Sequence, residues 1–376
     1  MMGRVEAGRC MKLVIFGVPD KWNDAINMVA KYRPDIMICG LSFYQNTGME
    51  DQDAVLGIEE VKELYSRHLI DGVIQINAEN PYYFMLLKQM GILDVYVIPH
   101  TLYYREQAGE DLSEDQIVYS YYEVLPEWWQ IEYHLADHCN LNCKGCTHFS
   151  NLVPEPVFAD KRQFAKDLAQ LKKYFSYLHY FYLLGGEPLL NPDLGSYVAI
   201  ARQYLPYTQI AIITNGLLVL TLKEEVLDII RQNNVRISIS DYSCLDNTKI
   251  NDFLTKHGIT YDIRGGKENF GKTLNLKGDS DPARTFYKCP RRHCTFLDKG
   301  KIAACCQPFT VHYFNEYFGE HIIENEGIDL YEEGLDGWNV AERLFSPMES
   351  CRYCTDEVHF EWEAVKPPYQ KEDWCV

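Results

Sequence analysis

Three cysteines in one short stretch have the spacing of a metal-cluster loop. Cys139, Cys143 and Cys146 follow the pattern C-x3-C-x2-C, directly after an apolar-rich segment. Thiolates are soft ligands that suit iron–sulfur clusters, and three of them can hold three irons of a [4Fe–4S] cubane. The fourth iron then has no protein ligand nearby in the sequence, so an exogenous molecule could bind and react there. A zinc site is the alternative reading of the same cysteines.

The elements around this loop form repeated strand–helix units between residues 128 and 285. The predicted strands are Trp129 to Ala136, Leu178 to Leu184, Gln209 to Ile213, Arg236 to Ser240 and Thr260 to Ile263. Amphipathic helices separate them, which predicts an α/β fold with a full or partial barrel. In such barrels the chemistry lies at the C-terminal ends of the strands. Short motifs occupy these ends: the cysteine loop, Gly185-Gly186-Glu187-Pro188, Thr214-Asn215, and Ser238 with Ser240.

The cysteine loop and the Gly-Gly-Glu-Pro motif, each after a predicted strand, together resemble the radical S-adenosylmethionine (SAM) enzymes. The resemblance implies a partial (β/α)6 barrel in which SAM chelates the open iron of the cluster. It implies that the reduced cluster cleaves a carbon–sulfur bond of SAM and yields a 5′-deoxyadenosyl radical. The protein would hold and orient these cofactors, which carry the difficult chemistry.

The resemblance also assigns roles to the strand-end residues. It implies that Gly185 and Gly186 let the backbone approach the SAM amino group and that Glu187 helps to fix this group. The four polar residues implied to contact the ribose and the carboxylate are Thr214, Asn215, Ser238 and Ser240. Without a ligand, the glycine motif could be a plain strand-to-helix turn. The polar residues could then be turn or strand residues whose hydrogen bonds are made within the protein.

One position departs from the family pattern. Many members carry an aromatic residue just before the third cysteine, and this chain has Gly145. His148 or Phe149 could cover the adenine instead. His134 and His138, which flank the loop, are expected to be structural.

A second group of cysteines follows residue 286. We predict Cys289, Cys305, Cys351 and Cys354 as ligands of an auxiliary [4Fe–4S] cluster, with Cys294 as an alternative to Cys289 and Cys306 as an alternative to Cys305. A predicted hairpin turn at residues 298–300 would bring the flanking cysteines together. The pattern resembles the twitch domain, a shortened SPASM domain of radical SAM enzymes. A structural zinc site is the alternative.

Residues 11–105 precede the barrel and alternate strands with helices, which predicts a parallel sheet. The segment resembles the Rossmann-like domains on sugar-modifying enzymes. Its first turn, from Gly17 to Asn23, lacks the glycines of G-x-G-x-x-G, so a structural or substrate-docking role is favoured over NAD binding. We therefore predict four parts: a Rossmann-like domain (11–105), a linker (106–127), a radical SAM partial barrel (128–285) and a cysteine-rich twitch-like domain (286–376).

Composition narrows the range of partners. The 376 residues carry a formal net charge of −18, which repels phosphate backbones and anionic surfaces. Neither nucleic acid nor a membrane is therefore an expected partner. There is no signal peptide and no uncharged apolar run of membrane-spanning length. Because the 13 cysteines are odd in number and seven of them lie in tight groups, we predict a cytoplasmic metal-binding protein rather than a disulfide framework.

These features predict an oxidoreductase-type radical SAM enzyme. The combination of a barrel with one auxiliary cluster resembles radical SAM aminosugar dehydrogenases, which implies oxidation or another modification of a sugar or nucleotide-sugar substrate. A donor such as flavodoxin or ferredoxin would reduce the cluster. Two alternatives stay open: a peptide-modifying maturase of the SPASM type, and a non-catalytic iron–sulfur or zinc protein.

Overall fold

The computed structural model describes residues 10–43, 55–76, 81–110, 112, 118–120, 123–242, 245–265 and 270–376. The chain divides into two compact units. The first comprises the residues up to Trp128 with Phe175–Tyr177, and the second comprises Trp129–Tyr174 with Leu178–Val376. Each unit has a β-sheet of its own.

The first unit is a six-stranded sheet with helices. Its strands are β1 (Met11–Phe16), β2 (Ile36–Ser42), β3 (Val55–Leu56), β4 (Gly72–Gln75), β5 (Val95–Val97) and β6 (Tyr119–Ser120), and its helices are α1 (Trp22–Tyr32), α2 (Ile58–Ser66), α3 (Pro81–Gln89) and α4 (His100–Gln107). The strand order is β3-β2-β1-β4-β5-β6. Within the described residues of this sheet, β6 is antiparallel to its neighbour β5, and the other strands pair in parallel. Leu13 and Ile15 on β1 are fully buried, as expected for a central parallel strand.

One detail of this unit differs from the sequence-based expectation. The segment predicted as a linker contains the end of α4 and the short strand β6. Strands of two residues carry no periodic signal, so sequence pattern could not indicate them. The turn after β1 is closed by Trp22, whose Nε1–H donates to the carbonyl of Gly17 at 2.8 Å. The Gly17 carbonyl in the first turn therefore accepts a hydrogen bond from this indole.

The second unit contains the barrel-like sheet. Its strands are β7 (Glu127–Ala136), β8 (Tyr177–Gly185), β9 (Gln209–Thr214), β10 (Arg236–Asp241), β11 (Tyr261–Gly265), β13 (Phe296–Asp298), β14 (Lys301–Ala303) and β15 (Ile328–Asp329), while β12 (Phe270–Leu274) pairs separately with β16 (Cys354–Phe360). The helices are α5 (Lys161–Leu171), α6 (Leu194–Tyr204), α7 (Glu224–Gln232), α8 (Asn247–Lys256), α9 (Pro282–Lys288), α10 (Gln307–Thr310), α11 (His312–Phe318) and α12 (Gly337–Leu344).

The sheet order is β11-β10-β9-β8-β7-β13-β14-β15. Strands β8 to β11 pair in parallel, and α6, α7 and α8 connect them. The predicted α/β class is confirmed, and within the described residues β11 and β15 are the open ends of the sheet. Helix α5 begins at an N-cap, since Asp160 accepts a hydrogen bond from the backbone N–H of Gln163 at 2.7 Å.

The cysteine-rich part of the chain extends this sheet. Strand β13 pairs in parallel with β7, the first strand of the barrel-like set, and then forms a hairpin with β14. Lys299 and Gly300 have positive φ at the turn, which suits a tight hairpin and confirms the turn predicted there. The sequence pattern gave no indication that this hairpin joins the barrel sheet, because the pairing partner lies far away in the chain.

No helix within the described residues combines the length and the apolar character needed to span a bilayer.

Candidate active site

The ends of four strands meet at one cavity of about 270 Å³. The cysteine loop follows β7 and contributes all three of its cysteines to the wall. The other predicted site residues that line this cavity are Gly185, Gly186, Thr214, Asn215 and Ser240. The structure therefore brings together motifs from β7, β8, β9 and β10, as expected for strands whose C-terminal ends share one edge of a sheet.

The thiols of the loop lie in surroundings that suit bound metal. Burial raises the pKa of Cys139 to about 12, although the backbone N–H of Leu141 points at its sulfur from 3.4 Å. A buried thiol of this kind stays neutral unless a positive charge compensates the thiolate. A metal cluster supplies that charge, so the donor set fits an iron–sulfur group.

Gly185 and Gly186 join the end of β8 to the end of β7. The N–H of Gly186 donates to the carbonyl of Ala136 at 2.7 Å, and the N–H of Glu187 donates to the carbonyl of His138 at 3.1 Å. A Cβ on Gly185 would lie 2.0 Å from the Ala136 oxygen, and one on Gly186 would lie 2.3 Å from the His138 oxygen. The close approach of two backbones thus requires glycine here, in addition to any contact with a ligand.

We expect Gly186→Ala to destabilise the protein and the cysteine loop together. The added methyl group meets backbone oxygens that cannot rotate away, so the turn must open, with a loss of unfolding free energy of about 1–3 kcal/mol. Denaturant unfolding of the cluster-free protein measures this loss. Gly265→Ala is the matched control, because a Cβ at Gly265 meets nothing within 4 Å. Equal stability of the two variants would contradict the expectation.

Glu187 lies behind the cavity rather than in its described wall. Its carboxylate is fully buried and accepts hydrogen bonds from Thr214 Oγ1 at 2.7 Å and from the Asn215 N–H at 2.9 Å. It also accepts one from the N–H of Leu189 at 2.9 Å. The side chain therefore ties the end of β8 to the end of β9, and it acts on the cavity through Thr214 and Asn215.

Glu187 should make stability depend on pH. Burial raises its pKa to about 7 from the usual 4.5, against the opposing effect of the hydrogen bonds from Asn215 and Thr214. The folded chain then keeps this proton at pH values where the unfolded chain has lost it. Its contribution to stability is therefore complete below about pH 4.5 and is lost as the pH rises towards 7.

We expect the parent protein to lose stability relative to Glu187→Gln between pH 5 and pH 8. Urea unfolding of the cluster-free proteins at both pH values gives the two differences in free energy. The exposed Glu333→Gln serves as control and should show no such change. A Glu187→Gln difference that is independent of pH would refute the assignment.

The two serines predicted on β10 occupy different places. Ser240 lines the cavity, whereas Ser238 is buried and its hydroxyl donates to Asp262 Oδ2 at 2.8 Å. Asp262 belongs to the neighbouring strand β11. Ser238 thus links strands β10 and β11. Of the two serines, Ser240 is the better candidate for direct contact with a ligand, because it lines the cavity.

A second cavity of about 340 Å³ adjoins the first. Cys289, Cys305 and Cys354 line it, and Cys351 packs beside it against Phe286. Burial raises the pKa of Cys351 to about 11 and that of Cys354 to about 12, and the nearby Cys289 contributes to both shifts. The four predicted auxiliary ligands are therefore neighbours.

The two alternative cysteines face other partners. Cys294 is hydrogen-bonded to the buried carboxylate of Glu132 on β7, which favours Cys289 over Cys294 as a ligand. Cys306 also lines the second cavity, but its thiol donates to the carbonyl of Thr147 at 3.8 Å. Either Cys305 or Cys306 could thus reach a group bound in this cavity.

Sulfur spacing distinguishes a cluster from a single zinc ion. Tetrahedral zinc with bonds of about 2.3 Å brings its sulfurs to within roughly 4 Å of one another. Among the cysteines that the structure describes, no three sulfurs lie within 4.8 Å of one another. A cubane holds its thiolates farther apart than one zinc ion does, because each thiolate binds a different iron atom.

Residues 133–261 match the family model described as the Radical SAM superfamily. The chain carries a radical SAM domain. The cofactors of this domain are a [4Fe–4S] cluster and SAM, and the cysteine-rich part that follows fits an auxiliary-cluster domain. The matched range begins within β7 and ends at the start of β11, so it contains the cysteine loop and the ends of β8 to β10.

The individual relatives are distant from this chain. GTP 3′,8-cyclases of Staphylococcus aureus strains Mu3 and Mu50 are 25% identical over 250 residues, which is 62% of this chain and 63% of each relative. The match thus covers less than two thirds of these relatives. Among solved structures, BtrN in complex with AdoMet and 2-DOIA is 16% identical with a TM-score of 0.35, covering 60% of this chain and 92% of BtrN. Native anSMEcpe with bound AdoMet is 17% identical with a TM-score of 0.28, covering 36% and 43%.

The first cavity has aromatic walls that no sequence motif indicated. Tyr242 and Phe270 line it, and their rings meet edge to face at 5.5 Å. Trp362 stacks on Tyr242, with their ring centroids 5.4 Å apart. Tyr242 directly follows β10, so its position at a strand end was a usable signal. Phe270 lies on β12, outside the strand–helix repeat, and no sequence pattern pointed to it.

The two residues suggested to contact the adenine, His148 and Phe149, occupy different surroundings. Phe149 is buried in a core cluster with Phe314 and Trp374. His148 lines the cavity, and its Nδ1 lies 2.8 Å from Nε2 of His134, whose Nδ1 contacts Asp137 at 2.8 Å. Burial lowers the pKa of His148 to about 3, so its imidazole is neutral. His134 is structural in the sense that it links this ring to Asp137.

Proposed function

We propose that this protein is an oxidoreductase-type radical SAM enzyme that uses two iron–sulfur clusters on a small molecule. Cys139, Cys143 and Cys146 would hold the SAM-binding cluster. The auxiliary cluster would be held by Cys289, Cys305, Cys351 and Cys354. The observation that carries the proposal is the adjacency of two cysteine-lined cavities, which share Thr147 and Arg291 as walls.

When bound, the cluster and SAM supply the reductive cleavage that generates the 5′-deoxyadenosyl radical. The chain provides the binding surface for this chemistry. Backbone groups of Gly185 and Gly186 and the polar side chains of Thr214, Asn215 and Ser240 would bind SAM in the first cavity. Glu187 and Ser238 would act as positioning residues, since each is hydrogen-bonded to a neighbouring strand.

Arg291 stands between the two proposed cofactor sites. Its guanidinium pairs with Glu357 and donates to the carbonyl of Gly271 at 3.4 Å. Because Glu357 already compensates its charge, Arg291 favours the uncharged sugar part of a substrate at this wall over a phosphate group. A substrate at this wall would contact the SAM cavity on one side and the auxiliary cavity on the other. An oxidation in which the substrate radical passes an electron to the auxiliary cluster needs this placement.

For the substrate we propose a sugar or nucleotide-sugar. Support comes from the mostly parallel α/β sheet of the first unit, which suits a substrate-docking domain, and from the relatives named GTP 3′,8-cyclase, whose name gives a nucleotide substrate. A flavodoxin or ferredoxin would supply the electron. A peptide-modifying maturase is the competing function, because auxiliary-cluster domains of this type also serve such enzymes.

Anaerobic reconstitution tests the proposal in two steps. Two cubanes require about eight iron atoms per chain, whereas a measured content of about four would show that the auxiliary cluster is absent. The reduced protein should then form 5′-deoxyadenosine from SAM. A protein that binds iron but forms none would be a non-catalytic iron–sulfur protein.

The substrate class is tested by hydrogen transfer. Sugars, nucleotide-sugars, GTP and precursor peptides, each deuterated on carbon, are incubated separately with the reconstituted enzyme. Deuterium in 5′-deoxyadenosine identifies the compound from which hydrogen is abstracted. Transfer from a sugar or nucleotide-sugar with formation of a product two electrons more oxidised supports the proposal, and transfer only from a peptide or from GTP replaces the substrate class.

A further inference from the structure

The cysteine loop is held from one side by the last residues of the chain described here. Strand β16 ends at Phe360, and the following segment, residues 361–376, runs along the loop. The N–H of Lys144 donates to the carbonyl of Glu363 at 3.0 Å, and the N–H of Val365 donates to the carbonyl of Asn142 at 2.8 Å. The backbone on both sides of Cys143 is therefore paired to this segment.

Side chains of the same segment reach the loop at two further points. The indole N–H of Trp374 donates to the carbonyl of Cys146 at 3.1 Å, and the hydroxyl of Tyr369 donates to Asn142 Oδ1 at 3.1 Å. The Lys144 ammonium forms an ion pair with Glu363. Trp374 is 2% exposed and packs with Phe149 and Phe314, so it is anchored in a core cluster.

The contact is close enough to explain the departure at Gly145. This residue has φ of +64°, and a Cβ would lie 2.9 Å from the ring of Phe360. A bulky side chain before the third cysteine would meet the end of β16. Glycine at this position is thus explained by the segment that packs on the loop.

We propose that residues 361–376 form a strap that holds the cysteine loop in the arrangement that retains the SAM-binding cluster. The inference rests on the proposed ligation by Cys139, Cys143 and Cys146. A loop that must present three thiols at fixed positions loses conformational entropy, and its polar backbone groups need partners. The strap supplies partners at Asn142, Lys144 and Cys146, which lie between or at the ligands. Trp374 and Tyr369 are therefore positioning residues for the cluster.

Two conservative variants test the strap. Trp374→Phe removes the N–H that reaches Cys146 and keeps an aromatic ring, and Tyr369→Phe removes only the hydroxyl that reaches Asn142. The matched controls are Trp338→Phe, on α12, and Tyr207→Phe, in the loop after α6, which make the same changes away from the strap. Melting temperatures of the cluster-free proteins show that all four variants are folded.

The readout is cluster retention in the reconstituted holoenzyme. Electron paramagnetic resonance identifies the loop cluster, since the signal that changes on addition of SAM belongs to the cluster that binds SAM. We expect this signal to decay roughly three- to tenfold faster in a chelator for each strap variant than for the parent, and faster still for the double variant. The controls should decay at the parental rate, and the signal that SAM leaves unchanged should not be affected.

The outcomes separate the two proposals. A parent protein that binds no SAM-responsive cluster refutes the proposed function and the strap with it. A parent that binds the cluster while the double strap variant retains it equally long refutes the strap alone. Faster decay of both signals would also overturn it, because a general loss of structure would then explain the result.

Discussion

Alanine in place of Cys139, Cys143 or Cys146 abolishes the formation of 5′-deoxyadenosine from SAM. Each substitution removes one of three thiolates around a single cavity, and no other cysteine lines the described wall of that cavity. A cubane that lacks one of three protein ligands is lost or loses its arrangement towards SAM. We expect a decrease of at least about a hundredfold, since disturbance of the outer shell of a metal site alone already costs tenfold to a hundredfold.

Reconstituted protein, a reductant and SAM suffice for this measurement, and chromatography quantifies the product. Cys39→Ala is the matched control, because Cys39 is exposed on β2 of the first unit. It should retain parental activity. Deoxyadenosine formation at the parental rate by any of the three loop variants would show that this loop does not hold the SAM-binding cluster.

Alanine at Cys351 or Cys354 should leave SAM cleavage intact and stop the oxidation of substrate. These cysteines lie at or beside the second cavity, whereas the predicted SAM-binding residues surround the first. Loss of the auxiliary cluster would leave the substrate radical without an electron acceptor. Iron should fall from about eight to about four atoms per chain while deoxyadenosine formation persists.

Cys294→Ala is the control for this pair, since its thiol is bonded to Glu132 rather than facing the second cavity. It should keep about eight irons and full product formation. Cys354→Ser, with nearly the same volume, guards against a simple packing defect. Product formation by both Cys354 variants at the parental rate would show that this site takes no part in the oxidation, and zinc in place of iron would make it structural.

Local pattern was sufficient for the elements and for their order. The amphipathic helices predicted between the strands are present as α6, α7 and α8, and the strands before each motif lie where β-rich runs indicate. The glycine motif was also recognisable. The sequence did not fully explain why glycine is needed there, because the backbone oxygens of Ala136 and His138 come against the motif only in the folded chain.

Residues outside the strand–helix repeat could not be predicted to reach the site. Phe270, Arg291 and Trp374 all act on the first cavity or its loop, yet each lies more than a hundred positions from the cysteines. Their contacts arise from hydrogen bonds and packing between remote segments. No periodicity or spacing in the sequence records such contacts.

The sequence by itself determined the chemistry that this protein can attempt. Ligand type and spacing are local properties, so Cys139, Cys143 and Cys146 indicated an iron–sulfur loop, and the glycine motif indicated its partner. The tertiary structure alone decided that Glu187 supports the cavity from behind, that Cys294 turns towards Glu132, and that residues 361–376 cover the loop. These outcomes depend on which distant segments meet, and burial and hydrogen bonding of the folded chain as a whole determine that.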